Sequence, residues 1–288
     1  MTELAAQIGC TMPGRRCWAL LLWLGVVSLT PTPAWGQQGP VSGSHAGADV
    51  LWHEAAALFP IRVHLPRDFD SARTYPTVIA LHGFGSSSVQ FERIGRAFAE
   101  GGFIAVLPEG PYPVPSPDSL RRSTWELSTW TREYGLGPPL SDDPAIEFQS
   151  ASITLLEFLP SVIDRVREEY RVGSVYVFGF SLGGVYALSG GFYNRHEVDG
   201  IVAFGATFYR ELFTVLGDRL EDGNHLLVRL ALGRSDPMVP FSNAEEARDA
   251  FEEAGYEVIL DEFPGGHTVP DDALRRAVIW LREVADRR

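Results

Sequence analysis

Gly179-Phe180-Ser181-Leu182-Gly183 stands between an apolar run at residues 174–178 and a helical pattern that begins at Leu182. A serine on a tight strand-to-helix turn projects its hydroxyl clear of the sheet. Glycines two residues to either side let neighbouring backbone come close without a Cβ. The chemistry open to such a hydroxyl is nucleophilic attack on an acyl carbonyl. That attack needs a base to take the proton and an acid to orient the base. The rival reading is an ordinary glycine-rich turn, since so short a pattern recurs by chance. The strand before it and the helix after it favour the nucleophile.

His196, His225 and His267 follow Ser181 in the chain. His267 lies in Gly265-Gly266-His267-Thr268-Val269-Pro270, a display loop between a strand pattern at 256–262 and the last helix. His196 sits among Asn194, Arg195 and Glu197, and His225 in a polar turn, so both read as solvated. The acid candidate is Asp236, in Ser235-Asp236-Pro237, directly after the apolar run 226–232. Catalytic groups of open α/β sheets gather at the carboxyl ends of strands. Asp261 and Glu262 belong to a strand and would project sideways from it. Asp271 is the reserve, in a first helical turn where an acid favours the helix dipole.

An attacked carbonyl develops negative charge that must be stabilised. One donor is the backbone N–H of Leu182, after the nucleophile. The other is the Phe84 N–H in His82-Gly83-Phe84-Gly85-Ser86, which follows the strand pattern 76–81. Such donors lower the barrier by on the order of 3 kcal/mol each. His82 reads as a prop for this loop rather than as a base. None of this chemistry needs a cofactor or a metal.

The elements that must position these groups alternate without a break from about residue 61. Strands are expected at 58–65, 103–107 and 198–204, and helices at 89–99, 145–170, 244–254 and 271–285. Pro160 is expected to divide or kink the second of these helices. Residues 108–144 form a long Pro-, Gly- and Ser-containing segment at the end of a central strand. Segments of this kind are commonly functional. Trp125 and Trp130 are its candidate substrate-pocket walls; the alternative is that they anchor the segment to the core. Residues 206–216, with Phe208, Tyr209 and Phe213, are a second pocket candidate.

With H-G-F-G at 82–85, G-F-S-L-G-G at 179–184, S-D-P at 235–237 and G-G-H at 265–267, the chain resembles the α/β-hydrolase superfamily. Within it the chain most resembles the phospholipase/carboxylesterase family, over about residues 61 to 282. The resemblance implies an α/β-hydrolase fold, a mostly parallel central sheet with helices on both faces. It implies Ser181 as nucleophile, Asp236 as acid, His267 as base, and Phe84 and Leu182 as oxyanion donors, in agreement with the residue-level reading. Two positions depart from the family pattern: Leu182, where Gln is usual, and Ser86, where Asp is usual. Residues 63–69 with Tyr75-Pro76-Thr77 are also similar to secreted feruloyl esterases and polyester depolymerases. The expected function is a secreted serine hydrolase that cleaves carboxylic esters, small or polymer-linked. A serine peptidase is one rival; a catalytically inactive binding protein on the same fold is another.

Residues 1–36 fall outside this pattern. Arg15-Arg16 precede an apolar run at 17–29, and Ala34 and Gly36 supply small residues before Gln37. That arrangement reads as a secretory signal, cleaved before Gln37. The start at Met1 or Met12, twin-arginine export and an uncleaved anchor stay open. A Gly/Ser/Gln-rich lead-in at 37–55 would follow, then one domain over 56–288. Secreted or periplasmic placement follows, with no stable membrane insertion after cleavage. Cys10 and Cys17 both lie in the signal, so no thiol chemistry is expected of the mature chain. The formal charge is −13, and every basic residue is arginine. This acidity disfavours nucleic acid and anionic membrane surfaces as partners. The sequence does not give the oligomeric state.

Overall fold

The computed structural model describes residues 59–114, 122–125, 144–208 and 226–288. The chain divides into two units, Met1–Ala56 and Ala57–Arg288, and every described residue belongs to the second. The expected signal and lead-in lie outside the described residues.

The strands are β1 (Ile61–His64), β2 (Tyr75–Leu81), β3 (Ile104–Pro108), β4 (Tyr112–Pro113), β5 (Ser123–Thr124), β6 (Val172–Phe180), β7 (Gly200–Phe204), β8 (Leu227–Gly233) and β9 (Val258–Phe263). The helices are α1 (Glu92–Glu100), α2 (Pro144–Glu169), α3 (Leu182–Tyr193), α4 (Phe241–Glu253) and α5 (Asp271–Asp286). The main sheet runs β1, β3, β2, β6, β7, β8, β9; β4 and β5 form a small antiparallel ribbon. β1 pairs antiparallel with β3 at the edge, and every other pairing in the main sheet is parallel.

Parallel strands covered on both faces read as near-continuous apolar runs, and β2, β3, β6 and β7 largely do so. Successive side chains point to opposite faces, so each strand feeds two cores. Ile79, Leu81, Val175, Val177 and Ile201 face α2, α3 and α4. Val78, Ala80, Tyr176, Phe178 and Val202 face α1 and α5. Phe178 is wholly buried and meets Phe98 at 5.4 Å between ring centroids; cutting it to alanine would cost about 3–5 kcal/mol.

Helix α2 continues through Pro160. Proline removes one N–H and crowds the preceding turn, but Leu159, Val162, Ile163 and Val166 bury a shared stripe against the sheet. Packing holds the helix together where local propensity would break it. Among the described residues, no helix is long and apolar enough to cross a membrane.

The strand order reverses between the adjacent strands β2 and β6. Chain continuing from β2 adds to one side of the sheet, and chain continuing from β6 adds to the other. A crevice opens at the carboxyl ends of strands at such a switch point. The 82–86 loop leaves β2 there, and Ser181 leaves β6 beside it.

Candidate active site

Strand β6 runs to Phe180 and α3 starts at Leu182, so Ser181 alone makes the turn. Its φ of 55° and ψ of −125° make it the one non-glycine residue of positive φ among the described residues. A side chain held there costs about 1–3 kcal/mol and persists only where its surroundings over-determine it. Ser181 N–H donates to Phe204 O at 2.8 Å, and Ser181 O accepts from the N–H of Gly184 at 2.8 Å and of Val185 at 3.1 Å. The turn also requires bare backbone. A Cβ on Gly179 would lie 2.0 Å from Gly183 O, and one on Gly183 would lie 2.2 Å from Leu81 O.

His267 Nε2 lies 2.8 Å from Ser181 Oγ, and His267 Nδ1 lies 2.8 Å from Asp236 Oδ2. A carboxylate only accepts, so Asp236 places the imidazole proton on Nδ1 and leaves Nε2 to accept the serine proton. The Asp236 side chain is 1% exposed and that of His267 20%. Asp236 Oδ1 accepts from the N–H of Met238 at 2.8 Å and of Val239 at 3.0 Å, so the second carboxylate oxygen is also satisfied. The loops that carry Asp236 and His267 are laced together. Ser235 N–H donates to Gly265 O at 2.9 Å, and a Cβ on Gly233 would lie 2.4 Å from the same oxygen. The Phe180 ring packs on the imidazole at 4.8 Å between centroids.

The 82–86 loop lies against Ser181: a Cβ on Gly83 would sit 3.3 Å from Ser181 Cβ. The Phe84 amide follows directly on Gly83, and the Leu182 amide follows directly on Ser181. His82 is fully buried beneath this loop. Burial holds its pKa below the ordinary value, against opposing contributions from the Gly83 carbonyl and the Glu109 charge. A neutral imidazole wedged under the loop is a prop.

The other candidates lie apart from this cluster. His196 is exposed. Asp271 pairs with Arg93 on the surface, and Asp261 pairs with Arg229 at 2.8 Å and with Arg276 at 3.1 Å. Trp125 is fully buried, and its Nε1–H donates to His82 O at 2.7 Å. It lines an apolar cavity with Leu81, Phe158 and Tyr186 that has about 10 Å³ of free space, room for about one water. This placement corresponds to the anchoring alternative for Trp125. Phe208 is also buried. Trp130, Tyr209, Phe213 and His225 lie outside the described residues. Sequence reasoning missed Glu109, which is buried beside His82; its one signal was an acid directly after the apolar run of β3. It also missed Gly205, whose bare Cα makes room for His267.

The sequence profile of the phospholipase/carboxylesterase family matches residues 70–284. Acyl-protein thioesterase 1 of Neurospora crassa is 26% identical over 210 residues, 68% of this chain and 82% of that protein. Among solved structures, esterase PE8 superposes with a TM-score of 0.59 at 22% identity, covering 79% of this chain and all of that one. The Bacillus cereus carboxylesterase superposes with a TM-score of 0.55 at 17% identity, covering 80% and 95%. At these identities the superpositions speak for the fold, and the profile match speaks for the family. The chain belongs to the phospholipase/carboxylesterase family of α/β-hydrolases.

Proposed function

We propose that this carboxylic ester hydrolase works through an acyl-enzyme on Ser181. The observation that carries the reading is the unbroken chain Ser181 Oγ, His267 Nε2, His267 Nδ1, Asp236 Oδ2, with 2.8 Å at each hydrogen bond. His267 takes the Ser181 proton as Oγ attacks the ester carbonyl. The Phe84 and Leu182 amides bind the resulting oxyanion. When the intermediate collapses, His267 gives its proton to the departing alkoxide, and Ser181 keeps the acyl group. Water then attacks, with His267 as base and Ser181 as leaving group, and the free acid departs. Asp236 accepts the Nδ1 proton's hydrogen bond and steadies the imidazolium in both halves.

The substrate is a small or polymer-linked ester outside the cytoplasm, if residues 1–36 direct export. Arg15-Arg16, the apolar run 17–29 and the small residues before Gln37 support that placement. A mature N-terminus at Gln37 in the exported protein would agree with it, and an intact Met1 would not. A thioester substrate is the second reading, favoured by the similarity to acyl-protein thioesterase 1.

The test is turnover of p-nitrophenyl esters from acetate to palmitate, with methyl ferulate, lysophosphatidylcholine and an acyl thioester alongside. The expected result is hydrolysis by the wild type and none by Ser181→Ala. Equal hydrolysis by Ser181→Ala would remove the acyl-enzyme. A folded wild type that neither hydrolyses any substrate nor reacts with a fluorophosphonate would point to an inactive binding protein.

A further inference from the structure

Behind the loop that carries Phe84 lies a buried polar chain that the reaction at Ser181 does not use. Glu109 follows β3 and is 3% exposed. Its Oε2 accepts both the N–H of Ser88, at 3.0 Å, and the hydroxyl of Ser88, at 2.6 Å. Its Oε1 accepts the hydroxyl of Ser123 at 2.7 Å. Arg62 Nε donates to Ser88 Oγ at 3.2 Å, which leaves that hydroxyl's proton for Glu109. Burial opposes a charge on Glu109, but the Ser88 and Ser123 donors outweigh it and hold the carboxyl below its usual range. Glu109 is therefore a buried carboxylate with each oxygen occupied.

Ser123 Oγ lies 3.2 Å from His82 Nε2, which accepts the Gly110 N–H at 3.2 Å. The His82 proton accordingly sits on Nδ1 and is donated to Gly83 O at 2.8 Å. Gly83 O also accepts the Ser86 N–H at 3.2 Å. The Gly83 carbonyl and the Phe84 N–H belong to one trans peptide plane and point in opposite directions. Two donors on the carbonyl therefore aim the amide. The flank of the loop is held as well: Gly85 N–H donates to Ser123 O at 3.1 Å, and Ser123 N–H donates to Ser86 O at 2.8 Å.

We propose that Glu109 is a positioning residue for the oxyanion site: by gripping Ser88 and Ser123 it fixes the 83–88 loop so that the Phe84 N–H meets the oxyanion formed at Ser181. This rests on the acyl-enzyme reading above. Three donors converge on the carboxylate. An amide of the same shape offers one oxygen and adds its own donors, so Glu109→Gln leaves at least one serine contact remade. Donors aimed at an oxyanion act through geometry, so a loop that shifts by a fraction of an ångström loses transition-state binding before it loses substrate binding.

The experiment uses the full chain and compares wild type, Ser181→Ala, Glu109→Gln and Ser88→Ala. It reads kcat and KM on a p-nitrophenyl ester, affinity for a trifluoromethyl ketone whose serine adduct carries an oxyanion, and the unfolding midpoint. Glu109→Gln is expected to lower kcat about tenfold with KM within about twofold, and to weaken the ketone by the same factor as kcat. A folded Glu109→Gln with wild-type kcat overturns the proposal. So does a loss of midpoint temperature with ketone affinity unchanged. If Glu109→Gln does not fold, Ser88→Ala keeps the carboxylate, removes one of its donors and carries the same expectation. If neither folds where the wild type does, Glu109 is a stability element and the proposal falls. An inactive wild type, or an active Ser181→Ala, sinks the acyl-enzyme reading itself and the role of Glu109 with it.

Discussion

Gly205 turns its bare Cα toward the imidazole of His267: a methyl group there would lie 3.2 Å from both Cε1 and Nδ1, and equally close to Phe180 Cε2. Its φ of +55° is a conformation that a larger residue adopts only under strain. Gly205→Ala should therefore push the ring away from Ser181 without touching a reacting atom. A displacement approaching 1 Å at the reacting groups costs on the order of 100-fold. The expected loss in kcat is about 10- to 100-fold, with KM nearly unchanged, since the ground-state ester does not depend on the ring. Steady-state kinetics on one p-nitrophenyl ester would check it. Wild-type kcat in a folded Gly205→Ala would mean that Phe180 yields and the imidazole does not.

Asp236→Asn preserves shape and reverses a hydrogen-bond preference. Asparagine can present an N–H to Nδ1 and so favour the tautomer with its proton on Nε2, which cannot accept from Ser181. A loss on the order of 10⁴ in kcat is expected, with folding retained. Asp271 offers no substitute, since it is committed to Arg93 on the surface. A nearly silent Asp236→Asn would break the proposed role of Asp236 and leave the base without an orienting acid.

The glycines around the elbow make a prediction about folding rather than rate. A Cβ at Gly179 would collide with the Gly183 carbonyl, and one at Gly183 would collide with Leu81 O and His82 O. These obstacles are backbone atoms of β2, of the turn that follows it and of the first turn of α3, so no side chain can swing aside. Gly183→Ala is expected to cost about 3 kcal/mol or more, at or above the usual range for overpacking. Urea unfolding of Gly183→Ala beside Gly190→Ala would check it. The Gly190 position leaves 3.4 Å to a flexible Leu159 methyl and should tolerate the change.

Much of the site could be read from residue types because each piece is local. The elbow is a five-residue pattern, and Asp236 and His267 sit in turn-rich loops directly after strands. The parallel sheet shows in the largely apolar runs of β2, β3, β6 and β7. What escaped reading is what depends on distant partners. Glu109 reaches Ser88 across 21 positions and Ser123 across 14, and no periodicity marks such a pairing. Trp125 shows the same limit: an aromatic in a proline- and glycine-rich stretch looks alike whether it lines a cleft or, as here, is buried against His82. Pro160 shows the reverse case, where a helix breaker is overruled by the stripe packed against the sheet.

The buried pair beneath the loop predicts how stability follows pH. Burial depresses the pKa of His82 in the folded protein, while the unfolded chain protonates it near about 6.5. Below that pH the unfolded state takes up a proton that the folded state refuses, so stability falls as pH falls, down to the folded pKa. Glu109 is also depressed in the folded state, by its serine donors acting against burial. Its contribution is complete above the unfolded value near about 4.3 and is lost as pH falls through the folded pKa. Both groups therefore act in the same direction, in successive windows. The urea midpoint should decline as pH falls below about 6.5 and decline again below about 4.5. His82→Asn, whose amide can donate where Nδ1 donates, should flatten the first decline and keep the second. Measured across that range, an equal slope between about pH 6.5 and 5 in wild type and His82→Asn would show that His82 is not the group that titrates there.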